Sequence, residues 1–421
     1  MTFPIPPSLS RLLRHWSGAL LLAALLLAAL WPAFYAGSAM AQDDAEFQSW
    51  VQQFKQQAET QGISKTTLER AFADVHLNEK VLELDRRQPE FTRTFWQYFQ
   101  SAVTEWRIQR AAMLYRKHRR LLDQVTKQYG VPGRFLVAFW GMETNFGGYT
   151  GNIPIIESLA TLAYDPRRSD FFSNELLEAL KILDQGNISL QDMKGSWAGA
   201  MGQCQFMPSN YMRYAVDGDG DGKKDLWNSL EDVFFSAGHF LAELGWQREE
   251  NWGREVHLPK GFDYALADGQ TERSLQEWAQ LGIQLADGRA LPQESMNAKL
   301  LLPSDYRGPA FLVYANFDVI KRWNNSNNYA LGVAHLADRI IGRTTLSKER
   351  PDDDEAMSLA DMQALQDHLN WLGYDAGKPD GIAGSRTRNA LRAFQKDQRL
   401  PADGFPSAAM LKRLEQVRTP S

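Results

Sequence analysis

Apolar residues recur at helical spacing along most of the chain. Phe47, Trp50, Val51 and Phe54 form one stripe, Leu68, Ala71 and Phe72 a second, and Ile108, Ala111, Ala112 and Tyr115 a third, so residues 45 to about 130 read as helical. Further helices are expected over 170–184 and 230–245, and Ala330, Leu331, Ala334, Leu336, Ala337 and Ile340 stripe another over 329–342. The stretch 251–315 breaks the pattern. It is richer in Gly and Pro and carries short apolar runs such as Phe311-Leu312-Val313-Tyr314, which predicts a small sheet or irregular lobe. The fold class is therefore mainly α with a small irregular or β lobe.

Both ends of the chain depart from this body. Arg11, Arg14 and His15 precede an apolar run from Ala19 to Leu30, Pro32 breaks it, and Ala39-Met40-Ala41 stands before the polar Gln42-Asp43-Asp44. That is the layout of a signal peptide over 1–41, and it predicts an exported, periplasmic protein beginning at Gln42. An uncleaved inner-membrane anchor is the alternative, because apolar character persists from Trp16 to Tyr35. At the other end, residues 346–356 include Ser347-Lys348-Glu349-Arg350-Pro351-Asp352-Asp353-Asp354-Glu355, which reads as a solvated, flexible linker. Beyond it, Ser358 with Asp361 predicts a helix start. Leu365, Leu369 and Leu372 stripe that helix up to Gly373, and Ala390, Leu391 and Phe394 mark another, giving a three-helix module over 357–418.

The net charge of −5 gives no support to a nucleic-acid surface. Cys204 is the single cysteine, so there is no internal disulfide and no lipid-bearing cysteine near the leader. No His or Cys cluster points to zinc.

Candidate chemistry gathers in a few stretches. Phe135, Leu136, Val137, Phe139 and Trp140 predict a buried helix with Pro132 in its first turn and Gly147 and Gly148 as its stop. Glu143 falls in the last turn, near the negative end of the helix dipole and beside aromatic rings. Both surroundings disfavour the ionised form, which suits a proton donor to a glycosidic oxygen; a surface Glu beyond a core helix is the plainer reading. The run from Gly195 to Ser209 mixes small residues with Ser196, Gln203 and Gln205, whose side chains could bond sugar hydroxyls or amides while the small residues admit a ligand; a close helix contact is the alternative. Trp323-Asn324-Asn325-Ser326-Asn327-Asn328-Tyr329 brackets amides with aromatic rings, which is consistent with N-acetyl sugar binding; by itself it reads as a turn. Tyr164-Asp165-Pro166-Arg167-Arg168 offers two guanidinium groups for carboxylates, or is simply a solvated turn. Finally, residues 217–228 place Asp217, Asp219, Asp221 and Asp225 at positions 1, 3, 5 and 9 of a calcium-type loop, with Gly222 at 6 and the carbonyl of Lys223 at 7. Asn228 stands where a bidentate Glu is usual, which predicts a weaker site for a structural Ca²⁺ or Na⁺.

Taken in order, these motifs resemble the membrane-bound lytic murein transglycosylase B family over about residues 45–345. Residues 357–418 separately resemble the peptidoglycan-binding type 1 domain, through Leu372-Gly373-Tyr374, Lys378-Pro379-Asp380-Gly381-Ile382-Ala383-Gly384 and Asp403-Gly404. The resemblance implies a lysozyme-like catalytic core over 42–345, with no cofactor for the chemistry. It implies cleavage of the bond between N-acetylmuramic acid and N-acetylglucosamine with a 1,6-anhydro product. Glu143 falls on the catalytic acid/base, Ser196, Gln205 and Asn324 on glycan contacts, Trp323 and Tyr329 on an aromatic wall, and Arg167 and Arg168 on stem-peptide contacts. Glycan strands, stem peptides and cell-wall synthesis or remodelling complexes are the implied partners. From the residues alone, a lysozyme-type hydrolase and a non-catalytic wall-binding or scaffold protein both remain open.

Overall fold

The computed structural model describes residues 44–86, 93–343 and 345–418. The expected signal peptide over 1–41, with its cleavage site, lies outside the described residues. Among the described residues no helix is long and apolar enough to cross a membrane. The described backbone divides into two compact units, one of residues 44–82 with Ile156–Gly186, the other of the described residues in 83–155 and 187–418.

In the first unit the helix over 44–60 buries Phe47, Val51 and Phe54 of the expected stripe and leaves Trp50 half-buried. Phe47 meets Tyr164 edge-on at 5.4 Å and Phe54 meets Phe72 at 6.2 Å. Asp184, at the end of helix Ser169–Asp184, accepts hydrogen bonds from the hydroxyls of Ser64 and Thr67, both at 2.5 Å. These bonds lower its pKa, and they anchor the start of helix Lys65–Ala71.

The second unit is built around helix Gly133–Thr144, nine of whose twelve residues are buried. Helices Glu105–Lys117, Arg119–Tyr129, Leu230–Glu243 and Asn327–Ile340 pack around it. A short antiparallel ribbon, β1 (Ile153–Pro154) with β2 (Lys194–Gly195), follows the central helix. The lobe predicted over 251–315 is a five-stranded antiparallel sheet: β3 (Gly253–His257), β4 (Asp268–Ser274), β5 (Gln284–Leu285), β6 (Asn297–Leu301) and β7 (Ala310–Val313), in the order β4-β6-β7-β3-β5. Its inner face buries Val256, Leu300 and Leu312 against Trp278, whose indole N–H is satisfied by the Ala298 carbonyl at 2.9 Å.

Two details of the central helix differ from the sequence expectation. Pro132 is the N-cap, with extended backbone, and the helix begins at Gly133. The stop comes earlier than Gly147: Asn145 (φ 52°) and Phe146 (φ 63°) both take the left-handed conformation. Asn tolerates that region readily, but for Phe it is strained. Packing holds it there, since the Phe146 ring lies where a Cβ on Gly141 would sit.

The C-terminal module is the expected three-helix unit, Leu359–Trp371, Ser385–Asp397 and Ala408–Arg418, around Leu365, Leu369, Leu391, Phe394 and Leu414. The linker is not the free segment its composition suggests. The amide and hydroxyl of Ser347 donate to Glu255, the Thr94 hydroxyl donates to Asp354 at 2.6 Å, and Asp353 pairs with Arg307 at 3.0 Å. A charge-rich segment reads as solvated when its partners lie far away in sequence. The module also joins the lobe directly, since buried Asp403 accepts the Tyr306 backbone N–H at 3.0 Å as well as the Gln395 side-chain amide and the Phe405 backbone N–H within the module. Burial pushes the Asp403 carboxyl above its ordinary range. Asp403→Ala should leave one buried and two part-buried donors without their acceptor and cost at least about 3 kcal/mol, at about 1–3 kcal/mol for each such loss; equilibrium denaturation of the full chain measures it.

Candidate active site

Helix Gly133–Thr144 places Glu143 in its last turn, half-buried, with Phe139 and Trp140 one turn behind it. Burying the end of a helix leaves its last carbonyls without intrahelical partners. Here the amide N–H of Phe146 returns to Trp140 O at 3.1 Å and that of Tyr149 to Thr144 O at 3.0 Å. Thr144 is buried, and its hydroxyl donates to Gln203 O at 3.1 Å while accepting the Gly147 N–H.

Gln203 is a structural bolt and not the sugar contact the sequence suggested. Its Oε1 accepts the Trp140 indole N–H at 2.7 Å and its Nε2 donates to Trp227 O at 2.7 Å. Both ends of the amide are used inside the protein. The small residues around it serve backbone packing. A Cβ on Gly195 would lie 2.1 Å from Ala200 O, and one on Gly151 would lie 2.0 Å from Gly195 O. Within this tight loop Ser196 Oγ accepts the Ala200 N–H at 3.0 Å, and Gln205, in the left-handed region at φ 51°, donates through Nε2 to Thr150 O and Gly202 O, both at 3.0 Å. Both side chains are half-buried, and Gln205 ties this loop to the one that follows Glu143.

The asparagine-rich segment joins helices Ala315–Trp323 and Asn327–Ile340. Trp323 stacks on Phe139 with ring centroids 4.4 Å apart and 28° between planes, while Phe206 and Phe240 sit 5.4 and 5.1 Å away. Asn324, half-buried, ends the first helix in extended backbone. Tyr329 departs from the aromatic-wall expectation. It is 5% exposed, so it presents no ring face, and its hydroxyl donates to Glu143 Oε1. Burial first, then the negative charge of Glu143 and the hydrogen bond to it, hold this phenol far above its ordinary pKa, so it stays a neutral donor. Its position on a buried stripe with Val333 and Ala337 could have been read from the i, i+4 spacing.

Sequence reasoning passed over Tyr98, which acts electrostatically on Tyr329 from helix Phe95–Ala102. Cys204 is buried, its thiol bonded to Val233 O at 3.3 Å, and burial followed by the Glu143 charge pushes its pKa up, which suits an inert packing residue. Arg167 and Arg168 belong to the first unit. Arg167 is paired with Asp165 at 3.1 Å, and Arg168 lies 4.9 Å from the Phe172 ring centroid at the start of helix Ser169–Asp184.

In the 217–228 loop Asp217, Asp219 and Asp221 bring carboxylate oxygens within 4.8 Å of one another. Asp225 does not share that cluster. Its Oδ1 accepts the N–H groups of Trp227 and Asn228 and so shapes the loop's exit. The side-chain amide of Asn228 donates to Asp225, and the Lys223 amide N–H donates to Asp221. An all-oxygen set of three clustered carboxylates fits a hard cation.

The buried helix thus ends in a half-buried carboxyl, with an aromatic cluster beside it and a glycine-rich loop bolted against it, inside a mainly helical fold of the lysozyme-like transglycosylase class. The family model for the transglycosylase SLT domain matches residues 46–338 and that for a peptidoglycan binding domain matches 358–414. The chain belongs to the transglycosylase SLT family: it is a lytic transglycosylase carrying a C-terminal peptidoglycan-binding module. It is 31% identical over 249 residues to membrane-bound lytic murein transglycosylase B of Escherichia coli, an alignment covering 58% of this chain and 66% of that protein, just under two thirds of its length. The crystal structure of SltB3 from Pseudomonas aeruginosa in complex with NAG-anhNAM-pentapeptide is similar at a TM-score of 0.85 and 45% identity, covering 88% of this chain and 99% of that one. The Escherichia coli lytic transglycosylase SLT35 in complex with calcium matches at 0.59 and 29% identity, covering 69% and 92%.

Tyr329→Phe removes one donor from Glu143 and leaves the ring in place. It should lower kcat roughly 10- to 100-fold, the scale of a misplaced catalytic group, with KM little changed. Steady-state kinetics on a soluble substrate separates the two constants.

Proposed function

We propose that this protein cleaves the β-1,4 bond between N-acetylmuramic acid and N-acetylglucosamine in peptidoglycan without water, with Glu143 as the only acid and base. The observation that carries the reading is the single carboxyl at the end of the buried helix, held by the Tyr329 hydroxyl. Glycosidases that use water pair two carboxylates. One group suffices when the nucleophile belongs to the substrate.

In the first step Glu143 gives its proton to the glycosidic oxygen as the C1–O bond breaks, releasing N-acetylglucosamine with a free hydroxyl. The resulting carboxylate then takes the proton of the muramoyl C6 hydroxyl, whose oxygen bonds to C1 and closes the 1,6-anhydro ring. Glu143 ends the cycle protonated, and no water is consumed. Tyr329 keeps the carboxyl oriented through both transfers. Ser196, Gln205 and Asn324 are assigned to the glycan, Trp323 to its apolar ring faces, and Arg167 and Arg168 to carboxylates of the stem peptide. The bound muropeptide named for the Pseudomonas aeruginosa relative carries an anhydro sugar and a pentapeptide, which supports this substrate class. The module over 357–418 would hold the chain on polymeric wall, and the leader would deliver it to the periplasm, where wall-remodelling complexes are its expected partners.

Glu143→Gln keeps the shape but neither gives nor takes a proton. General acid–base catalysis is worth roughly 10²–10⁴-fold, and one group serves both steps here, so the loss should reach the top of that range with folding intact. Mass spectrometry of digests distinguishes the two reactions, since anhydro ends are lighter than hydrolysed ends by one water. Release of anhydro products by Glu143→Gln at a near wild-type rate would place the acid elsewhere.

The loop of Asp217, Asp219 and Asp221 is assigned a structural Ca²⁺, with the Lys223 carbonyl as a further ligand and Asp225 as a shaping residue. A cation that binds only the folded chain stabilises it by mass action. Millimolar calcium should raise the melting temperature of wild type and leave Asp219→Ala unmoved; equal shifts in both would overturn the assignment.

A further inference from the structure

Trp106 is a large apolar side chain that the fold does not use. Helix Glu105–Lys117 buries Ile108, Ala111 and Leu114, and Trp106 falls off that stripe, 57% exposed. It is nevertheless held on a rigid element. The Thr104 hydroxyl caps the helix through the Arg107 N–H at 3.1 Å, and the Arg107 guanidinium donates to Ser101 O and Ala102 O.

Ring packing connects Trp106 to the segment that carries Glu143. Its ring lies 6.4 Å from that of Phe146, three residues beyond Glu143, and Phe146 is packed on Trp140 at 5.6 Å.

We propose that Trp106 is the stacking platform of a distal glycan subsite, taking the C–H face of a pyranose ring beyond the two that flank the scissile bond. The surroundings favour a sugar over a protein partner. Its neighbours one turn along, Gln109 and Arg110, are exposed and polar, as is Glu105 before it. A protein interface needs a contiguous apolar patch of hundreds of square ångströms. A sugar ring needs one aromatic face with hydrogen-bonding groups around it. The occupant is the same N-acetylated β-1,4 strand that reaches Glu143, so the inference rests on the function proposed above.

The test uses the full-length protein and peptide-free oligomers of alternating N-acetylglucosamine and N-acetylmuramic acid, a tetrasaccharide and an octasaccharide. Wild type should show a lower KM for the octasaccharide. Trp106→Ala should raise the octasaccharide KM about 5- to 10-fold, the scale of one aromatic stacking contact, and leave kcat and the tetrasaccharide KM unchanged. Trp106→Phe should restore most of the affinity, and the melting temperature should stay put because the indole is exposed. Equal octasaccharide KM values for wild type and Trp106→Ala, or equal losses on both oligomers, would overturn the subsite. A wild type that yields no anhydro ends from either oligomer overturns the proposed reaction, and the subsite with it; cleavage without length dependence overturns the subsite alone.

Discussion

A helix apolar on nearly every side can be buried along its length, but its end cannot be buried without partners for its carbonyls and for any charge it carries. Gly133–Thr144 meets that constraint, and most of the site follows from it. The chain turns back through two left-handed residues so that amides return to the last carbonyls. Thr144 and Trp140 hand their remaining donors to Gln203, which fixes the Gly195–Ser209 loop against the helix end. That leaves Glu143 with its acceptor to satisfy, and the phenol of Tyr329 comes from a neighbouring helix to do so.

The same constraint separates what could be read in the sequence from what could not. The central helix, the position of Glu143 and the sheet lobe were legible because apolar period and local composition decide them. Gln203 was misread because a glutamine among small residues looks the same whether it faces a ligand or an indole across the core. Nothing local announces that Trp140 and Trp227, 63 and 24 residues away, will claim both ends of its amide. Tyr329 was legible in part. Its chemistry stood out, but its ring was assigned to a surface that its own helical spacing denies it. The linker failed in the opposite way, since its acidic residues are matched by Arg307 and Thr94 from distant segments.

Small residues teach a related lesson. Glycine where a ligand might approach and glycine where another backbone must approach are the same letter, and Gly195 and Gly151 prove to be the second kind. The close approach still matters for chemistry. It lets a loop with little side-chain bulk run beside Glu143 and carry Ser196 and Gln205 at fixed positions on a frame of backbone hydrogen bonds. Catalytic groups need such a frame because small displacements at the reacting atoms cost orders of magnitude in rate.

Exposure completes the argument. The protein buries Trp140, Trp278 and Phe139 and stacks Trp323 into an aromatic cluster, so its core is not short of places for rings. Against that background an indole held out on a capped helix, with its ring against Phe146, is not explained by any need of the core. Removing it should leave the fold intact because no buried stripe depends on it. A side chain the fold can do without, fixed on a rigid element and packed on Phe146 just beyond the end of the central helix, is better placed to meet a ligand than to support the core.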